Sequence, residues 1–432
     1  MASLALERAP AAALPLCFLR LAPAWGLLAA LLLWRYGATV FASRWALPTV
    51  ALVHVFTLGV LGNAILGSLL QFLPVVADVQ PRMARRLGAL VPVSYNLGLA
   101  GMVCGLLRWP AWLAPSGLLL ASTLAFYSVS ALAGLRFDGR QTVLRAGLAL
   151  ALLALLIAAV LGLVLAAALS GLISVPMAAL ADSHAAIGLL GGGLVLAGSV
   201  GSVVLPMFQG TAALPKHWLA LWLAGLLCAL VAGVALRLAN VLDSMALLLA
   251  APVAAFALAV LVLQARAPHR RNGTLVGFWR LGALALLAAT MFSLFAARWP
   301  ESRSAMVAGV LGIAVALPAL VLGMLLEIAA FLGWLGLQGS RVRGHRLPSA
   351  DALFPESRKA RVLVLHVASA FALPVAAAWP GKLSVSLAAL VLAAAYALTA
   401  FELLVLWQRT RRAARGMSIP DLPLAGGQSG AS

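Results

Sequence analysis

Hydrophobic and polar positions in this chain do not alternate at the strand period. Instead, long apolar runs follow one another from near the first residue to about residue 407. A helix rises about 1.5 Å per residue, so roughly 20 mainly apolar residues cross the hydrocarbon of a bilayer. Lipid offers no hydrogen-bond partners, so the backbone inside it must bond within its own segment, and long apolar runs mean helices. A transmembrane barrel would instead show short, alternating segments. The pattern predicts an all-α, polytopic transmembrane bundle of about twelve spans. They fall at 16–36, 47–75, 87–107, 111–135, 142–169, 179–204, 218–236, 245–263, 275–297, 305–335, 362–379 and 383–407. The first contains Arg20, which must snorkel or mark the start of the span. Residues 1–408 then form one membrane domain. Residues 409–432, basic at first and then rich in Gly, Ser and Pro, are expected to be a disordered tail.

Composition agrees: 64% of the 432 residues are hydrophobic and 9% are charged, against about a quarter charged in a soluble domain. The net charge of +19 would suggest a nucleic-acid partner in a soluble protein. Here the basic residues sit between apolar runs, aromatic interleaving is thin and no nucleic-acid motif occurs, so the expected partner is the lipid bilayer. Of the 30 Lys and Arg residues, 23 fall in the two termini and alternate loops, and 7 in the other loops. This positive-inside asymmetry places both termini in the cytoplasm of a bacterial inner-membrane protein. No cleavable leader is expected, because the first apolar stretch runs on to Trp34 without a small-residue cleavage site. Cys17, Cys104 and Cys228 lie far apart in apolar surroundings, without C-x-x-C or a c-type haem motif, and are expected to be small buried packers.

Polar groups at membrane depth are costly and usually functional. His217, His269 and His345 fall in or beside loops, whereas His54, His184 and His366 lie inside spans. Imidazole is a common ligand for haem iron and copper. A haem held between helices needs a histidine from each of two facing spans, with small residues beside them. At 100° per residue, His184, Gly188 and Gly192 share one helix face, which leaves room beside the histidine. Gly59, Asn63, Gly67 and Gln71 recur every fourth residue and read as a helix–helix seam, while His54 shares a face with Leu58, Leu61 and Ile65. His54 and His184 both lie roughly 10 Å outside the bilayer centre, and His366 nearer the middle, so depth favours pairing the first two. Glu327, inside the tenth span, is a proton- or ion-handling candidate, or the partner of an Arg from a cytoplasmic loop. Glu402, near the inner end of the twelfth, reads as a snorkelling side chain. The second and sixth spans also resemble each other: each opens on its histidine, runs through glycines and closes on Pro74 or Pro206. No Walker motif, H-E-x-x-H, G-x-S-x-G or nucleophile–base pair occurs, so a soluble-type catalytic site is not expected.

Four segments carry a resemblance: HVFTLGVLGNAILGSLLQFLPV (54–75), HAAIGLLGGGLVLAGSVGSVVLPMFQGT (184–211), GMLLEIAAFLGWLGLQ (323–338) and VLVLHVASA (362–370). With twelve spans, they resemble the catalytic subunit of haem–copper oxidases, and more nearly the NnrS-type haem- and copper-containing membrane proteins and related bacterial membrane proteins. The resemblance implies a cytochrome oxidase subunit I-like fold. It implies His54 as the helix-two ligand of a low-spin haem b, His366 as its late-helix partner, and His184 as the helix-six copper ligand. The chain departs from the oxidases in lacking the consecutive His-His of the seventh helix and the late His-x-His. Three intramembrane histidines do not supply the ligands of two haems and a copper, so reductase activity is not expected. A redox, nitric oxide or metal homeostasis role, with another membrane redox protein as partner, is what remains. The rival reading is a secondary transporter, supported by twelve spans, the internal similarity and Glu327.

Overall fold

The computed structural model describes residues 6–136, 139, 141–241, 245–269, 271–338 and 347–416. Among the described residues there is no strand. Twelve helices are long and apolar enough to cross a membrane: α1 (Ala13–Phe41), α2 (Leu47–Val75), α3 (Arg86–Leu107), α4 (Pro110–Leu132), α5 (Thr142–Leu169), α6 (Met177–Gln209), α7 (Lys216–Leu238), α8 (Ala246–Ala265), α9 (Gly273–Arg298), α10 (Ser304–Gln338), α11 (Glu356–Ala378) and α12 (Lys382–Arg415). This is the all-α polytopic bundle that the apolar runs predict, and each helix covers one of them.

Some helices run further than the apolar runs. The helix of α12 continues through residues 409–415, which the sequence assigns to a disordered tail; residues 417–432 lie outside the described residues. Likewise α11 begins at Glu356, inside the stretch expected to be loop, and its first turn carries charges that are paired within the protein. The cysteines correct another expectation. Cys17 and Cys228 are exposed and Cys104 is partly so. Lipid is as apolar as a protein core, so a cysteine on a span needs no burial. Exposed tryptophans cluster at span ends, among them Trp34, Trp45, Trp109, Trp112, Trp299 and Trp379 on the face opposite the basic loops. That is the belt expected at a membrane–water interface.

The helices form a closed ring in chain order. Sequential neighbours pack on each other, and α12 packs on α1 to complete the circle. Within the ring α2 also packs on α10. One span in each successive group of four has an unusual build. In α2, α6 and α10 a short α-segment gives way to a π-helical stretch, Val55–Gly62, Ile187–Leu194 and Val310–Ala316, before α-helix resumes. The similarity between the second and sixth spans is therefore two parts of a threefold pattern. Each stretch holds at least one glycine, and such wide turns concentrate at functional sites.

The predicted seam in α2 packs against α1. A Cβ on Gly59 would lie 2.7 Å from Trp25 Cβ, and one on Gly67 2.8 Å from Phe18 Cβ. Asn63 exchanges reciprocal amide hydrogen bonds of 3.0 Å with Asn96 of α3, whose Oδ1 also accepts from Trp25 Nε1 at 2.6 Å. Small residues let three backbones approach, and the polar contacts lock them together. Overpacking such a seam costs about 1–3 kcal/mol. Gly59→Leu and Gly67→Leu are each expected to lower the Tm of detergent-solubilised protein. Gly225→Ala in α7, where a Cβ meets nothing within 4 Å, should leave it unchanged.

Candidate functional site

His54 and His184 are each the eighth residue of their span, so both sit about two turns in from the face opposite the basic loops. The fold brings them together: their ring centres are 6.1 Å apart and their planes differ by 25°. His54 Nδ1 lies 2.8 Å from the carbonyl of Val50, and His184 Nδ1 lies 3.0 Å from the carbonyl of Ala158 in α5. A carbonyl only accepts, so both rings carry their proton on Nδ1. That leaves an Nε2 lone pair on each, the usual state of a ligating histidine whose orientation is set by a second hydrogen bond. The corresponding position in the third group of spans is Leu311, the eighth residue of α10.

The π-helical stretch begins directly after His54, and side chains satisfy the carbonyls around it. Leu58 O accepts from the Tyr95 hydroxyl at 2.9 Å, Gly59 O from Asn63 Nδ2 at 2.8 Å, and Val53 O from Thr57 Oγ1 at 2.9 Å. A non-α stretch at membrane depth is tolerated only where such partners exist. Around His184, Gly188 and Gly192 set the approach of α5. A Cβ on Gly188 would lie 3.5 Å from Ala158 Cβ, and one on Gly192 would lie 2.9 Å from Leu155 Cδ2. The glycine that faces the imidazole is Gly162 of α5, where a Cβ would lie 3.1 Å from His184 Cε1. Its place in the longest purely apolar run hid it from sequence reading.

Two residues before His184, Asp182 accepts from Arg237 Nε at 2.9 Å and from Arg44 Nη1. This ionic clamp ties the α1–α2 connection, α6 and the end of α7 together, nearer the surface than the histidines. It too was missed, because a lone acid at a span end looks like ordinary surface polarity.

His366 is not part of this pair. It sits in α11, with Nε2 3.1 Å from Thr399 Oγ1 and its ring edge-on to Tyr396 at 5.0 Å and near Phe278 at 5.8 Å. Thr399 donates its own hydroxyl proton to Ala395 O at 2.8 Å. The hydroxyl therefore accepts from His366, which places that ring's proton on Nε2. Among the described residues no three His, Cys, Asp or Glu side chains gather as metal ligands. Of the three candidate ligands the fold brings His54 and His184 together and places His366 elsewhere, among residues of α9 and α12.

Glu327 is buried and paired with Lys359 Nζ at 2.6 Å. The partner is a lysine of the first turn of α11 rather than a loop arginine. Lys359 also lies 3.5 Å from Glu356, whose Oε1 accepts from the backbone N–H of Thr274 at the start of α9. Glu402 does not snorkel. Its side chain is 1% exposed and is held by Arg358 and, at 3.4 Å, by Arg361. Two charged groups, both built on the start of α11, thus tie it at the basic face to α9 and α10 on one side and to α12 on the other.

No protein-family model matches the chain, and no curated protein sequence is similar to it. The network at Glu327 makes a direct prediction. Removing one partner of a buried pair strands the other and costs about 3–5 kcal/mol, whereas replacing both by apolar residues is often neutral. Lys359→Met alone should lower Tm strongly, and Glu327→Leu combined with Lys359→Met should recover much of the loss.

Proposed function

We propose that His54 and His184 would together hold a b-type haem in a multi-pass membrane protein, which works as a redox or gas-responsive protein rather than as an oxidase. The observation that carries this is the pair itself. Two imidazoles from different spans, each with Nδ1 fixed on a backbone carbonyl, leave two Nε2 lone pairs at one level. With metal–nitrogen bonds of about 2 Å, rings whose centres are 6.1 Å apart are close enough to share one metal ion. The chemistry of this donor set, two imidazoles with a free Nε2 each, supports the reading of a bis-histidine metal centre.

In this reading the Val50 and Ala158 carbonyls orient the two rings and hold their protons on Nδ1. Gly162 leaves the His184 ring free to settle. The Asp182 clamp with Arg44 and Arg237 ties the α1–α2 connection, the start of α6 and the end of α7 together beside the pair. A haem bound there would supply single-electron transfer, and another membrane redox protein would be its partner. The basic face would lie in the cytoplasm with both termini, as the 23-to-7 division of basic residues supports; the expected location is the bacterial inner membrane. The transporter reading draws on Glu327, and Lys359 already neutralises that carboxylate.

The test is the absorption spectrum of protein purified from haem-replete cells, with metal content by mass spectrometry. A Soret band is expected that His54→Ala and His184→Ala each abolish and His366→Ala retains. The pairing implied by the family resemblance, His54 with His366, predicts the reverse for the last two variants. Copper without a Soret band would reassign the pair to a copper ion. A wild-type protein with neither haem nor metal would overturn the reading.

A further inference from the structure

On the basic face, a chain of polar side chains crosses α9, α8 and the end of α6 in one direction. Arg280 Nε donates to Gln264 Oε1 at 3.3 Å, and Gln264 Nε2 donates to Gln209 Oε1 at 2.7 Å. A guanidinium has donors and no acceptor. It therefore dictates the orientation of the Gln264 amide, and that amide dictates the orientation of Gln209. The chain ends on Gln209 Nε2, a donor with no partner. Gln209 is 1% exposed and Gln264 2%, and a buried donor left unpaired is costly.

Charge points the same way. Arg280 is the eighth residue of α9, about two turns into the span, and meets no carboxylate among the described residues. A cation at that depth is expensive unless an anion is near. Arg271 donates its backbone N–H to Gln209 O at 3.4 Å, and Arg266 directly follows the last residue of α8. Glu356, the first residue of α11, which reaches the start of α9, is already engaged by Thr274 and Lys359.

We propose that Gln209 and Arg280 form an anion site that takes a phosphate-type oxyanion between α6, α8 and α9. The source is either the headgroup of an anionic lipid in the leaflet at the basic face or free phosphate. Basic pockets between spans on that side recognise lipid headgroups in this way. A phosphate oxygen accepts from Gln209 Nε2 at the open end of the chain, and Arg280 at its other end polarises both amides and supplies the positive charge. The site is independent of the haem reading and lies at the other face of the bundle from His54 and His184.

The test is the Tm of the full chain in neutral detergent, titrated in three arms at constant ionic strength: phosphatidylglycerol, phosphatidylcholine and inorganic phosphate. Phosphatidylglycerol is expected to raise Tm and phosphatidylcholine to leave it unchanged. Arg280→Gln and Gln209→Leu should each weaken the apparent affinity roughly tenfold, the loss of a charge-assisted or buried hydrogen bond. Gln209→Glu, which replaces the open donor by a carboxylate oxygen that repels a phosphate, should abolish the response; it keeps the test decisive if Arg280→Gln fails to fold. A shift with inorganic phosphate assigns the site to a soluble anion, and a shift with phosphatidylglycerol alone assigns it to lipid. No shift in either arm would overturn the proposal. So would an equal shift in Arg280→Gln and wild type, or a response that is lost only in the exposed control Arg266→Gln.

Discussion

Every backbone N–H and C=O inside the hydrocarbon must find a partner within the protein, and the architecture follows from that. Twelve apolar runs become twelve helices because only a helix closes its own hydrogen bonds segment by segment. The same rule makes the departures from α-helix informative. The π-helical stretches of α2, α6 and α10 lie at membrane depth, and in α2 the surrounding carbonyls are met by Tyr95, Asn63, Thr57 and His54. The polar residues of that region are thus the condition for its irregular backbone. His54 serves both ends: its Nδ1 closes a carbonyl, and its Nε2 is left for other chemistry.

The charged residues of the bundle work in a few compact groups. At the basic face Glu327, Lys359, Glu402, Arg358 and Arg361 join three consecutive spans. At the other face Asp182 holds Arg44 and Arg237 together. A buried pair gains little net stability over an apolar contact, yet it punishes misassembly, because either partner alone would be stranded in a low-dielectric medium. In a bundle of Ala- and Leu-rich helices with similar faces, these groups define which helices sit side by side.

The histidine pair stands between α2 and α6, in different four-span groups, and α5 supplies the carbonyl that orients one ring. The site therefore depends on the packing of three helices rather than on any single one. The resemblance to haem–copper oxidases implies His54 and His366 as the ligands of one haem. The proposed pairing differs from the one that resemblance implies, because His366 spends its Nε2 proton on Thr399 and packs against Tyr396 and Phe278.

Taken alone, the sequence determined the number and approximate extent of the spans, because apolar length is a local property and lipid admits one local answer to it. It also determined the seam of Gly59, Asn63 and Gly67, since a four-residue period maps onto one face of one helix. Depth along each helix singled out His54 and His184 as level, and their contact follows that prediction. What only the tertiary structure decided depends on rotation and neighbours. Glu327 meets Lys359 and Glu402 lies beneath two arginines because α11 begins earlier than its apolar residues do. Gly162, rather than Gly188 or Gly192, faces His184 because α5 approaches on that side. The wide turns and the open donor on Gln209 are likewise invisible in the sequence. A hydrogen bond satisfied or left open is a property of the packed bundle, and no span carries that information by itself.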